Sequence, residues 1–257
     1  MNTNKVLKVL TSLSLGTLVM GMMVGCGPEI AAKESEQKYI VVGTNAEFEP
    51  FEYREGTEIV GLDIDISKAV AENLGKELKI EDMEFETLTA QVSAGNIDFV
   101  AAGLTIDETK SKQVDFSEPY FTTKQVIIVR EDSVDVATAE DLKGKTVGVQ
   151  LGTTGHQSVS ADEEINCIPF NKGALAVMDL ANGKIDAVVI DEEPAKRMVA
   201  AQSGLKIVEA PFVEEEYAIA VQKGNEALLK TINETLSELK QSGKYDELYT
   251  KYFYEEK

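Results

Sequence analysis

One short unit is written twice in this chain, far apart. Ser93–Gly103 reads SAGNIDFVAAG and Ala181–Asp191 reads ANGKIDAVVID. Gly95 aligns with Gly183, Ile97-Asp98 with Ile185-Asp186, and Gly103 with Asp191. Each copy follows an apolar helical segment, Thr87–Ala94 in one case and Lys172–Ala181 in the other. The apolar runs that come next, Ile97–Ala102 and Ile185–Ile190, are short and bounded by turn residues, which predicts strands buried on both faces. A helix–glycine–strand unit built twice predicts two similar lobes, each offering a strand end to a shared cleft.

Strand ends at the carboxyl edge of an open α/β sheet are where ligands bind. At the first, Gly103 lets the backbone approach a ligand, Thr105 offers a hydroxyl and an N–H, and Lys110 offers a cation, with a helical turn predicted from Asp107. An ordinary strand–loop–helix joint with a solvated lysine has the same pattern. Later in the chain, Thr146–Gln150 predicts a strand, and Gly152-Thr153-Thr154-Gly155 opens a helix after it. Such a turn is either an anion site, through free N–H groups at the positive helix end, or a plain threonine N-cap.

Tyr39–Val42 predicts another strand, followed by a loop, Gly43–Tyr53, with three aromatics that either line a pocket or staple the loop to the core. Ile66, Val70 and Leu74 stand at helical spacing in Asp65–Leu74, with Gly75 as C-cap. Leu78–Glu84, Lys124–Arg130, Leu205–Ala210 and Glu216–Val221 predict strands. A short helix is expected around Asp141-Leu142, and further helices over Glu192–Ala201, Asn225–Gln241 and Tyr245–Phe253. The alternation of strand and helix defines an α/β protein. Extended crossings between the lobes are expected near 120–124 and 214–219. They divide the chain into lobe 1 at 38–121 and 220–257 and lobe 2 at 125–215.

Residues 1–25 have a positive start, Lys5 and Lys8, then an apolar run closing in Met-Val-Gly before Cys26. This predicts a secretory leader. Small residues before the cysteine are similar to a bacterial lipobox, in which Cys26 is lipidated and begins the mature chain. A cleaved signal with an incidental cysteine is the alternative. Residues 26–37 are polar and suit a tether. If Cys26 carries lipid, Cys167 has no disulfide partner, and its apolar INCIPF setting predicts core packing. His156 is the single histidine, and no paired-cysteine or HExxH pattern occurs, so neither a metal nor a cofactor is expected. The formal charge of −20 argues against nucleic acid, which needs a basic face, and suits solubility and cationic or zwitterionic partners.

Taken together, VGTNAEFEPFEY, IVGLDIDISKAVAENLG, IDFVAAGLTIDETKSKQVDFSEPYF, DLKGKTVGVQLGTTG, KIDAVVID and SGKYDELYTKYF resemble the polar amino-acid-binding proteins of ABC importers, solute-binding protein family 3. No one motif is decisive, but their order and spacing are specific, and they span nearly all of Lys38–Phe253. The resemblance implies a two-lobed type II periplasmic-binding-protein fold, each lobe a mixed sheet flanked by helices, joined by two hinge strands. It implies that Asp191 and the backbone at Gly103 and Thr105 hold the α-ammonium of an amino acid. Lys110 and the Thr153-Thr154 turn would hold the α-carboxylate. Phe48 and Phe85 would flank the side chain, with Asn45, Tyr53 and Gln150 close by. The family usually carries arginine where this chain has Lys110, which exchanges a bidentate grip for a point charge. Glu47 and Glu49 would suit a basic ligand if they face the pocket.

The function implied is that of a monomeric, lipid-anchored receptor on the extracytoplasmic face of the cell membrane, passing an amino acid to an ABC permease. Two rivals share the fold. One is a dehydratase of cyclic acids, for which the cleft lacks a histidine–nucleophile pair. The other is a sensory module, which is normally fused to a membrane-spanning signalling segment.

Overall fold

The structure, a computed structural model, describes residues 38–208 and 214–254. The expected leader, the tether and Cys26 lie outside the described residues. In chain order the strands are β1 (Tyr39–Thr44), β2 (Glu47–Phe48), β3 (Glu52–Glu55), β4 (Glu58–Val60), β5 (Glu77–Asp82), β6 (Phe99–Val100), β7 (Val114–Phe116), β8 (Phe121–Arg130), β9 (Thr146–Gln150), β10 (Asn166–Phe170), β11 (Ala187–Asp191), β12 (Leu205–Val208), β13 (Glu214–Tyr217) and β14 (Ala220–Gln222). The α-helices are α1 (Leu62–Asn73), α2 (Leu88–Ser93), α3 (Thr154–Ser160), α4 (Gly173–Ala181), α5 (Glu192–Ala201), α6 (Glu226–Gln241) and α7 (Lys244–Phe253).

The protein is a mixed α/β molecule in two lobes, each built on one sheet. The first sheet has the order β5-β1-β6-β14-β7 and the second β10-β9-β11-β8-β12, with β13 also paired to β8. In each, three parallel strands are followed by an antiparallel one: β14 beside β6 in the first, β8 beside β11 in the second. Strands β8 and β14 thus hold corresponding places, one late in the chain and one in its middle. The long strand β8 runs antiparallel to β13, with Phe121 opposite Tyr217. Val126–Val129 and Ala187–Ile190 are buried residue after residue, as strands covered on both faces must be.

The repeat is visible in the backbone. Gly95 and Gly183 both take positive φ, 74° and 69°, where glycine alone avoids a Cβ clash. Each following aspartate then ties its unit to the neighbouring strand. Asp98 Oδ2 accepts the Val41 N–H at 2.7 Å, and Asp186 Oδ2 accepts the Thr146 N–H at 2.8 Å. The isoleucine before each aspartate is buried over a strand glycine: Ile97 on Gly43 and Ile185 on Gly148.

Several expected bounds change. The first repeat strand is only Phe99–Val100, because β1 and β14 pair with it there, although Asp98 and Ala101 still donate to β1 carbonyls. The expected strand over Glu216–Val221 is two strands, β13 and β14, broken where the chain passes from β8 to the first sheet. In α4, Ala176, Val177 and Leu180 face the core, whereas Leu175 and Met178 are exposed. Cys167 is half-buried against the core between β9 and α3. The aromatic loop does both things expected of it. Phe51 packs edge-on against Phe121, Tyr217 and Phe253, with centroids 4.8, 5.1 and 5.5 Å away, while Phe48 turns to the cleft.

Candidate functional site

The ends of β1, β6, β9 and β11, with the loops that follow, converge on one cavity. It is lined by Asn45, Phe48, Glu52, Phe85, Gly103, Thr105, Lys110, Gln150, Thr153, Thr154 and Asp191. Every residue expected at the site lines this cavity except Tyr53. Adjacent residues of a strand point to opposite faces, so on β3 Glu52 turns into the cavity and Tyr53 packs against the core. The two other acidic candidates also lie elsewhere: Glu47 pairs with Lys172, and Glu49 lies 3.9 Å from the Arg197 guanidinium.

The walls meet across the cleft. Gln150, at the end of β9, donates to Asn45 Oδ1 at 3.0 Å, and Asn45 in turn donates to the Met83 carbonyl at 2.8 Å. Gln157 on α3 donates to Asp107 at 3.3 Å.

Asp191 ends β11 and is 5 % exposed. It accepts the Tyr217 hydroxyl at 2.5 Å. Burial, reinforced by the negative charge of Glu215, lifts its carboxyl to about 7. A carboxyl in that state becomes a fixed anion when a cation enters. At the other strand end Gly103, with φ of 54°, donates its N–H to Asp63 Oδ2 at 2.8 Å, and Tyr120 donates to the same oxygen at 2.7 Å. A Cβ at Gly103 would sit 3.0 Å from the Phe48 ring.

Behind Gly103, both oxygens of Glu52 and Oδ1 of Asp63 are buried without a hydrogen-bond donor. A proton on Glu52, shared with Asp63, meets that need. Burial first, and the Asp63 charge next, push the Glu52 carboxyl well above the usual carboxylate range, while burial lifts Asp63 to about 6. The cavity therefore holds a second latent anion.

Lys110 opens a short 3₁₀ turn, Lys110–Lys112, and is 6 % exposed. Its ammonium is paired with Asp107, which also accepts the Lys110 N–H at 2.7 Å. Burial raises the Asp107 carboxyl, but these bonds outweigh it and hold the group below its ordinary value. The Thr153 hydroxyl is used locally as an N-cap, accepting from the His156 N–H at 3.1 Å and donating to the Gln150 carbonyl at 2.8 Å. Thr154 is different: its hydroxyl leaves the helix and donates to Glu215 at 2.8 Å. Sequence reasoning missed Glu52, Asp63, Glu215 and Tyr217. Strand alternation in the aromatic loop was a usable signal for Glu52, whereas Glu215 stands in an acidic run, Glu214–Glu216, that reads as solvated surface.

The chemistry assembled is an anion at one strand end, a cation at the other, hydroxyl and N–H donors between them and two aromatic faces. A family description, bacterial extracellular solute-binding proteins, family 3, matches residues 40–255. The chain is 33% identical over 241 residues to the arginine-binding extracellular protein ArtP of Bacillus subtilis (strain 168), covering 91% of this chain and 94% of that one. Its fold superposes on a mutant of ArgBP from T. maritima with a TM-score of 0.83 and 45% identity, covering 86% of this chain and 97% of the other. An ancestral arginine-binding protein bound to arginine gives a TM-score of 0.81 and 42% identity over 85% of this chain and 99% of the other.

Proposed function

The chain belongs to the bacterial extracellular solute-binding proteins of family 3, and on that footing we propose that it captures a cationic amino acid, arginine first, between its lobes for delivery to an ABC permease. The observation that carries this reading is the cavity's charge arrangement. Asp191 ends one of the two related strands and Lys110 follows the end of the other, one from each lobe, and they line the same space. A zwitterion fits between them, its ammonium on Asp191 and its carboxylate on Lys110 and Thr154, so that the ligand itself holds the lobes together. The lobes in this reading are 38–121 with 220–257 and 125–215.

The side chain extends toward Glu52. Its buried carboxyl ionises when a guanidinium arrives, and the planar fork matches a carboxylate with two parallel hydrogen bonds. Phe48 and Phe85 supply faces for the cation. The ArgBP and ArtP names support the same ligand class. The protein is proposed to be a monomeric lipoprotein, anchored through Cys26 on the extracytoplasmic face, that releases its ligand unchanged.

A thermal-shift panel of amino acids tests the reading. A ligand at about a hundred times its dissociation constant adds about 2.7 kcal/mol of stability, so arginine raises Tm clearly, citrulline raises it less, and mass spectrometry recovers both intact. A Tm unmoved by every amino acid, or a chemically altered ligand, contradicts it.

A further inference from the structure

Glu215 lies outside the cavity lining yet gathers two hydroxyls that line it, those of Thr105 and Thr154. Its Oε2 accepts from the Thr154 hydroxyl at 2.8 Å, the Thr105 hydroxyl at 3.1 Å and the Gln125 amide at 3.2 Å. Those donors come from three places: the loop after β6 in the first lobe, the start of α3, and β8 in the second. Glu215 itself sits on β13, opposite Thr123 of β8. Among the described residues no lysine or arginine is ion-paired with it. Strand alternation turns Glu215 and Tyr217 to one side, where Tyr217 reaches Asp191, and leaves Glu214 and Glu216 exposed. Hydrogen bonds to an ionised acceptor are about twice as strong as those between neutral groups, and this single oxygen collects three.

We propose that Glu215 is a positioning residue: its carboxylate joins the lobes beside the crossing strands, aims the Thr105 and Thr154 hydroxyls across the cleft and raises the population of the closed form before any ligand arrives. This role rests on the reading of the cleft as an amino-acid site. Apparent affinity scales with the fraction of protein already in the binding-competent form. A residue acting on that fraction changes the affinity of every ligand by one common factor, whereas a residue touching the ligand's side chain changes some ligands more than others.

The test is single-molecule FRET on the full folded chain with one dye on each lobe, for wild type, Glu215→Gln and Glu215→Ala, with and without arginine. Glu215→Gln keeps the shape and one acceptor oxygen, so its closed population in the ligand-free protein falls between the other two. In Glu215→Ala that population drops, and the dissociation constants for arginine and citrulline both rise by about tenfold, in equal proportion. A ligand-free distance distribution identical in all three proteins overturns the proposal, whatever the affinities do. Unequal losses for arginine and citrulline overturn it too, by making Glu215 a ligand contact. If wild type binds no amino acid, the reading of the cleft fails, and the ligand-free distances still decide the role of Glu215.

Discussion

The Tyr217 hydroxyl donates to Asp191 at 2.5 Å, so the strand that returns toward the first lobe fixes the carboxylate at the end of the second lobe's repeat. The bond spans 26 residues and ties the candidate ammonium site to the strand that leads back to the first sheet. It also favours the ionised form of Asp191, against burial and the Glu215 charge that raise its carboxyl to about 7. Four of the five predictions below rest on Asp191 or on the second buried acid, Glu52.

Binding should require Asp191 to ionise. Below a pKa of about 7, each ligand ammonium must first displace a proton. The dissociation constant for citrulline, which draws no proton from Glu52, should rise by about tenfold for each pH unit below about 7, as for one coupled proton, and that for arginine more steeply, because Glu52 ionises as well. Calorimetry in buffers of different ionisation enthalpy should detect proton release near pH 6. An affinity flat from pH 5 to 8 contradicts this.

The same balance makes Asp191 a liability to the ligand-free fold. Its folded pKa, about 7, lies above the ordinary 3.8, so the folded state holds the proton more tightly than the unfolded chain. The stabilisation is complete below about pH 4 and is lost as pH rises through 7. At about 1.4 kcal/mol per pKa unit the span reaches a few kcal/mol. Asp191→Asn should therefore raise the ligand-free Tm at pH 8 relative to wild type, with little gain at pH 4. A variant less stable than wild type at pH 8 would oppose the account.

Glu52 should distinguish charged from neutral side chains. Glu52→Gln still donates to Asp63 but cannot become an anion. Arginine should weaken by about two decades or more, in line with the 3–5 kcal/mol cost of leaving a buried charge uncompensated. Citrulline, which has a urea in place of the guanidinium, should change by less than tenfold. Equal losses would remove Glu52 from the specificity of the site.

The repeat should be sensitive at the strand glycine that its isoleucine covers. A Cβ at Gly148 would lie 2.7 Å from Ile185 Cδ1 and 3.0 Å from the Ala176 Cβ. Gly148→Ala should cost about 1–3 kcal/mol by overpacking. Ile185→Val, which deletes the nearer methyl, should recover part of the loss in urea denaturation. A neutral Gly148→Ala would show that the unit has slack.

Much of this architecture is legible in the residues. The duplicated Gly-x-Ile-Asp unit carries its own turn, buried anchor and strand, and its copies hold equivalent places in the two sheets. The convergence of Asp191, Lys110, Gly103, Thr105 and Thr154 on one cavity follows from strand ends, which sequence marks well. What stayed hidden depends on tertiary direction. Glu52 and Tyr53 are neighbours in sequence, and only the pairing of β3 with β2 decides which one enters the cavity. Glu215 acts through donors brought together from three elements. The pairing of Lys110 with Asp107 is local, yet a lysine three residues after an aspartate reads equally well as solvated surface.

The most direct measurement is a calorimetric titration of arginine into wild type and Asp191→Ala at pH 8. Removing one partner of a buried charge pair costs about 3–5 kcal/mol, which is roughly two to four decades of affinity at about 1.4 kcal/mol per decade. The account predicts a loss in that range with the variant still folded. An Asp191→Ala protein that binds arginine as tightly as wild type would contradict it.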